Sequence, residues 1–156
     1  MSGVIINKGY EYFTYLEDVF DIISNKQVDF NWLIESYECY PENEKVANIF
    51  NSDTVFISGK DLTELNKLDE TQWIWGIFHG FNRNISEEQI KQEKYETNNI
   101  DLVWDGNMFH PLAEIEIIAW DSSATIILSK DSLLIKKIIE NNENAVELSA
   151  FKKNNM

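Results

Sequence analysis

The chain has 156 residues, enough for one domain with a full apolar core, and its single cysteine, Cys39, excludes an internal disulfide. Its 27 acidic residues outnumber 13 basic ones, so the formal net charge is −14. This charge disfavours nucleic acid and anionic membrane surfaces as partners and favours a basic protein. The same charge also keeps a protein soluble, and the sequence leaves both explanations open.

The first half of the chain predicts two helices and two strands. Apolar residues recur at helical spacing over residues 12–24 and again over 61–68. Strict alternation from residue 28 predicts a half-buried strand that runs on as far as Pro41. Residues 41–53 are acidic and rich in asparagine, which predicts a loop with a short helical turn, and residues 54–58 predict a short apolar strand.

The second half begins with the densest apolar run, residues 73–81, which predicts a central strand covered on both faces. Ser86 and Gln89 have the spacing of a capping box, so we expect a short helix to begin near residue 87. A short strand is predicted at residues 100–104.

A hairpin follows, with strands at residues 114–120 and 124–128. A helix over residues 129–141 should be capped by Asp131. The tail from residue 142 gives no clear pattern.

This order of elements predicts a single α+β domain spanning residues 1–156. We expect a mostly antiparallel sheet with helices packed on one side, because adjacent strands are joined by short connections and no linker or repeat divides the chain. No apolar run reaches the roughly 18 residues of a membrane helix, and the N-terminus lacks the pattern of a signal peptide. We therefore expect a cytoplasmic protein.

Few residues suggest catalysis. His79 lies inside an apolar run, which is typical of a hydrogen-bonded core histidine, and His110 precedes a proline in a turn region. Glu114 and Glu116 share one face of a strand, where they would form either an acid–base pair or, as we favour, a polar row facing solvent. Acidic neighbours raise the pKa of the Cys39 thiol and disfavour a nucleophile. No glycine-rich phosphate loop or metal-ligand pattern occurs, so we expect no cofactor and no metal.

Tyrosines interleaved with carboxylates suggest a surface for a basic protein. Aromatic rings provide anchors, while carboxylates steer the approach of lysine and arginine side chains. The candidate partner-binding residues are Glu35, Tyr37, Glu38, Tyr40, Glu42 and Glu44, with Asp69 and Glu70 as a second patch. A solvated strand edge and loop is the alternative interpretation.

Two tracts, residues 73–81 (WIWGIFHGF) and 110–123 (HPLAEIEIIAWDSS), together resemble small acidic bacterial immunity proteins found beside polymorphic toxins, including contact-dependent inhibition systems. The resemblance implies a non-enzymatic inhibitor that binds a toxin domain, often a nuclease, inside the producing cell. It covers about a third of the chain and assigns no functional residue.

The sequence thus favours an acidic protein that neutralises a basic toxin. Two alternatives stay open. One is a small hydrolase that uses Glu114, Glu116 or His79, and the other is a homo-oligomeric structural protein without a toxin partner. The oligomeric state is not set by the sequence.

Overall fold

The structure is a computed structural model that describes residues 2–155. Seven strands form one antiparallel sheet, in the spatial order β3-β2-β4-β5-β6-β1-β7. The strands are β1 (Gly3–Ile6), β2 (Phe30–Cys39), β3 (Thr54–Ser58), β4 (Trp73–Asn82), β5 (Ile115–Trp120), β6 (Ala124–Ser129) and β7 (Ala145–Glu147). The predicted α+β class with an antiparallel sheet is confirmed.

Seven α-helices connect and cover the strands. They are α1 (Leu16–Ile22), α2 (Glu44–Ile49), α3 (Gly59–Leu68), α4 (Glu87–Gln92), α5 (Asp101–Trp104), α6 (Ser132–Asn141) and α7 (Leu148–Asn155), and a 3-10 turn spans Lys26–Asp29. Within residues 2–155, none of these helices combines the length and apolar content that crossing a bilayer requires.

The helices cover both faces of the sheet, rather than the single face that the sequence analysis expects. On the first face, α1, α3 and α6 pack against a core that includes Trp32, Phe78 and Ile117. On the second face, α4, α5 and α7 contribute Ile90, Val103 and Leu148 to two smaller clusters. Central strands carry apolar side chains in both phases of the pleat, so each face has to be covered.

Several local predictions are confirmed at the level of individual hydrogen bonds. The Ser86 hydroxyl accepts from the Gln89 backbone N–H at 3.1 Å, and the Gln89 side chain accepts from the Ser86 N–H at 2.9 Å. This reciprocal pair starts α4. Asp131 caps α6 by accepting from the N–H of Leu133 at 3.0 Å. The strand at 54–58 and the hairpin of β5 and β6 also form.

Other predictions are wrong. Residues 100–104 were expected as a strand, but Asp101–Trp104 forms the short helix α5, whose first turn carries an acidic residue that suits a helix start. Helix α1 begins at Leu16 rather than at residue 12. The sequence pattern predicts neither β1 nor β7, because strands of four and three residues are too short to show a period.

A bulge in β2 decides which side chains reach which face. Ser36 has a φ of 51°, and the pairing of β2 with β4 shifts between Glu35 and Glu38. In a regular strand, Glu35 and Tyr37 would point to the same face. The bulge instead leaves Glu35 beside the buried histidine of β4 and places Tyr37 against the core of the first face.

Candidate functional site

An acidic depression of about 680 Å³ lies where the end of β2 meets the segment between α2 and β3. Three carboxylates and three aromatic rings line it, together with small polar residues, and no lysine or arginine is among the lining residues. The acids are Glu35, Glu38 and Asp53, and the rings are those of Tyr37, Tyr40 and Phe50. We call this depression the acidic groove.

Two tyrosines have different roles in the acidic groove. The ring of Tyr37 packs edge-on against Phe50 at 6.0 Å and Trp73 at 5.7 Å between centroids, and its hydroxyl donates to the Ser52 carbonyl. Burial raises the pKa of Tyr37, so this phenol stays neutral and holds the wall of the groove. Tyr40 is 70% exposed and donates a hydrogen bond to Glu38, which makes it the accessible ring.

Glu35 connects the acidic groove to a charged network inside the sheet. His79 lies on β4 directly opposite Glu116 of β5, and both side chains are completely buried. The Nδ1 atom of His79 is hydrogen-bonded to Glu116 Oε2, and its Nε2 atom lies 2.8 Å from Glu35 Oε2. The Tyr95 hydroxyl donates to the same Glu35 oxygen at 2.6 Å.

The geometry makes His79 an imidazolium. Each ring nitrogen faces a carboxylate oxygen, and only the protonated ring can donate from both nitrogens. Burial works against the charge, but the hydrogen bonds to Glu116 and Glu35 outweigh it and raise the pKa of His79. Burial likewise opposes ionisation of Glu35, yet the hydrogen bonds from His79 and Tyr95 lower its pKa.

Glu116 also holds the loop that covers the network. Its two carboxylate oxygens accept from the backbone N–H groups of Phe109 at 2.7 Å and His110 at 3.0 Å. His110 Nε2 donates to the Ile90 carbonyl at 3.0 Å, while its Nδ1 accepts from the Leu112 N–H at 3.1 Å. These two bonds require a neutral ring, and burial lowers the pKa of His110 accordingly.

This arrangement differs from the sequence-based expectation for the strand carboxylates. A solvent-facing row of Glu114 and Glu116 was favoured, but Glu116 is fully buried and bonded to His79, while Glu114 is half-buried and does not join the network. The expectation of a hydrogen-bonded core histidine is confirmed for His79. In the sequence, one histidine and one glutamate interrupt two apolar strands, which was the available signal for a buried pair.

Four of the predicted partner-binding residues line the acidic groove: Glu35, Tyr37, Glu38 and Tyr40. Glu42 and Glu44 are exposed but lie outside it, just before and at the start of α2. Tyr95 was not predicted as a site residue. Its hydroxyl contacts Glu35, which lies 60 positions earlier in the chain, and no local sequence pattern indicates such a contact.

The second predicted patch is divided between two structural roles. Asp69 accepts from the backbone N–H groups of Glu42 at 2.6 Å and Asn43 at 2.8 Å, so it fastens the loop before α2. Glu70 instead approaches Glu17 of α1, and neither Asp69 nor Glu70 lines the acidic groove.

Two further features bear on chemistry at this end of the molecule. Burial raises the pKa of Cys39 to about 12, which keeps its thiol neutral, although the sequence analysis attributed the shift to neighbouring acids. Across residues 2–155, no group of three or more histidine, cysteine, aspartate or glutamate side chains is arranged to hold a metal ion.

No family model, curated protein or solved structure matches the chain.

We predict that Glu116→Ala destabilises the protein by about 3–5 kcal/mol, because it leaves a buried cation short of one carboxylate. It also removes the acceptor of two backbone N–H groups. Urea unfolding followed by tryptophan fluorescence measures this change. Glu114→Ala is the matched control and should cost less than about 1 kcal/mol. Equal losses in the two variants would contradict a special role for the buried pair.

We also predict that stability depends on Glu70 between about pH 4.5 and pH 7. Burial and then a hydrogen bond shared with Glu17 raise the pKa of Glu70 from 4.5 to about 7. The folded state therefore holds a proton that the unfolded state has released, and this contribution is lost as the pH rises through the folded pKa. Glu70→Gln should stabilise the protein at pH 8 relative to wild type, and less so at pH 5.

Thermal unfolding across this pH range tests the effect, with Glu44→Gln as an exposed carboxylate control. The same pH dependence in Glu70→Gln and in wild type would show that Glu70 does not share a proton with Glu17.

Proposed function

We propose that the protein is a non-enzymatic immunity protein of the cytoplasm, which binds and neutralises a basic toxin domain of the nuclease type. The observation that carries this proposal is the acidic groove, whose lining includes three acidic residues and an exposed tyrosine but no lysine or arginine. The resemblance of residues 73–81 and 110–123 to immunity proteins supports the same function.

The proposed mechanism of inhibition is charge complementarity between this acidic protein and a basic toxin. A nuclease presents lysine and arginine side chains to the phosphates of its substrate. Carboxylates held in a concave surface would pair with those cations and block access of the nucleic acid. The net charge of −14 would in addition accelerate the encounter with a basic partner.

The size of the molecule suits such a complex. A stable interface buries about 800 Å² on each partner, which is about a tenth of the 8419 Å² surface of this chain. The acidic groove would form the centre of the contact, with Tyr40 as an aromatic anchor. Glu42 and Glu44 are exposed and would extend the acidic surface beyond the groove.

The same geometry gives less support to the hydrolase alternative. A general base needs a ring nitrogen with a free lone pair near the substrate. Both nitrogens of His79 are engaged by carboxylates, and Glu116 is closed off from solvent. Binding therefore accounts for the acidic groove better than catalysis does.

We predict that Glu38→Gln together with Asp53→Asn weakens binding to the toxin at least about tenfold, mainly through slower association. The toxin to be tested is the carboxyl-terminal domain encoded by the gene immediately upstream. Calorimetry and stopped-flow fluorescence give the affinity and the rate, and co-expression gives protection of growth. Raising the salt concentration should weaken the wild-type complex, because exposed charges are screened.

The control pair is Glu140→Gln with Glu143→Gln, which removes the same charge at and just after the end of α6, a helix that packs on the far strands β6 and β7. This control should bind nearly as the wild type does. The proposal fails if no complex forms with the upstream domain, or if both double variants protect cells as well as the wild type.

A further inference from the structure

Glu35 belongs both to the acidic groove and to the buried network, and its two oxygens are used differently. Oε2 receives both donors, His79 Nε2 and the Tyr95 hydroxyl. Oε1 has no hydrogen-bond partner among residues 2–155, and the side chain keeps 16% of its surface exposed. The Glu35 carboxylate is therefore mostly buried, and two hydrogen bonds hold its Oε2 atom. Its Oε1 atom is free to accept one more donor.

We propose that Glu35 Oε1 accepts a single cationic side chain of the partner, a guanidinium or an ammonium group, and that the buried His79 is the positioning residue which fixes and charge-balances Glu35 for this contact. The inference rests on the proposed binding function of the acidic groove and names the group that this groove recognises.

The two cations then compete for one carboxylate. His79 is faced by Glu35 from β2, by Glu116 from β5, and by the rings of Tyr95 after α4 and His110 after α5. His110 is neutral, so the balance of charge involves the imidazolium and the two glutamates. A partner cation at Glu35 would repel the imidazolium and lower the pKa of His79.

Thermodynamic reciprocity gives this competition a direction. If binding of the cation promotes loss of the proton from His79, then loss of that proton must strengthen binding by the same factor. Affinity for a cationic ligand should therefore rise with pH above neutrality. A histidine that only stabilises the fold would leave the affinity unchanged over the same range.

A labelled hexa-arginine peptide is a suitable probe, because arginine keeps its charge over the whole range from about pH 6 to pH 9.5. The measurements use the full chain in a Glu70→Gln background, since Glu70 titrates near pH 7 and would add its own pH dependence. Binding is measured by fluorescence anisotropy at low salt for this background alone, with Glu35→Gln, and with Glu38→Gln as the groove control.

The background protein should bind the peptide at least about fivefold more tightly at pH 9.5 than at pH 6. Glu38→Gln should weaken binding at every pH and keep this rise, because Glu38 does not contact His79. Glu35→Gln should weaken binding and abolish the rise. In wild type, ¹⁵N NMR should show both His79 nitrogens protonated at pH 7, and the peptide should lower the pKa of His79.

The outcomes separate the two proposals. If neither variant weakens binding of the peptide, the acidic groove does not recognise cations and the proposed function fails with it. If both variants weaken binding but Glu35→Gln keeps the pH dependence, only the positioning role of His79 is overturned. A neutral His79 at pH 7, or a pKa of His79 that the peptide leaves unchanged, overturns that role as well.

Discussion

The buried Glu116–His79–Glu35 chain is the interaction on which this end of the molecule depends. Glu116 and His79 are fully removed from water in the middle of a sheet, and Glu35 beside them is largely buried, so an unpaired charge there would cost several kcal/mol. The chain is tolerated because its members satisfy one another and because backbone donors satisfy Glu116. Replacing any one member leaves a polar atom of another without its hydrogen-bond partner, so the three side chains act as a unit.

The network also explains why the acidic groove has a defined shape. The bulge at Ser36 separates Glu35 from Tyr37, so that one enters the network while the other supports the wall of the groove. Tyr37 in turn fastens the segment before β3 through the Ser52 carbonyl. Glu35 and Tyr37 are thus held by hydrogen bonds on different faces of one sheet, which restricts the motion of both side chains. A rigid surface loses less conformational entropy on binding.

The sequence predicted the parts of this fold that have strong local signals. The capping box at Ser86, the cap at Asp131 and the hairpin of β5 and β6 depend on residues close together in the chain, and all of them form. The strands β1 and β7 escaped prediction because they depend on long-range pairing. The packing of helices on both faces of the sheet was not predicted for the same reason, although the apolar run of β4 already indicated burial on both faces.

The sequence predicted surface residues of the candidate site but not the buried pair of His79 and Glu116. Tyrosines interleaved with glutamates in and just after β2 indicated an acidic surface with aromatic anchors, and four of those residues line the acidic groove. The pairing of His79 with Glu116 depends on the register of β4 and β5, which no short-range pattern reveals. From the sequence, Glu116 was therefore placed with Glu114 in a solvent-facing row, because glutamates that alternate with isoleucines along a strand usually lie on its exposed face.

The buried charges of Glu116 and His79 lie next to Glu35, a residue that lines the acidic groove. Replacing a buried ion pair by hydrophobic residues of similar volume is often neutral or stabilising in proteins, so stability alone gives little reason for this pair. Its distinctive consequence is that Glu35, which lines the acidic groove, is ionised and held in one direction, with Oε1 free of hydrogen-bond partners in the part of the chain that the structure describes. A flexible surface glutamate would offer the same charge but would lose side-chain entropy in each contact. The buried pair thus holds an ionised carboxylate in a fixed orientation, and the recognition proposed for the edge of the sheet would depend on it.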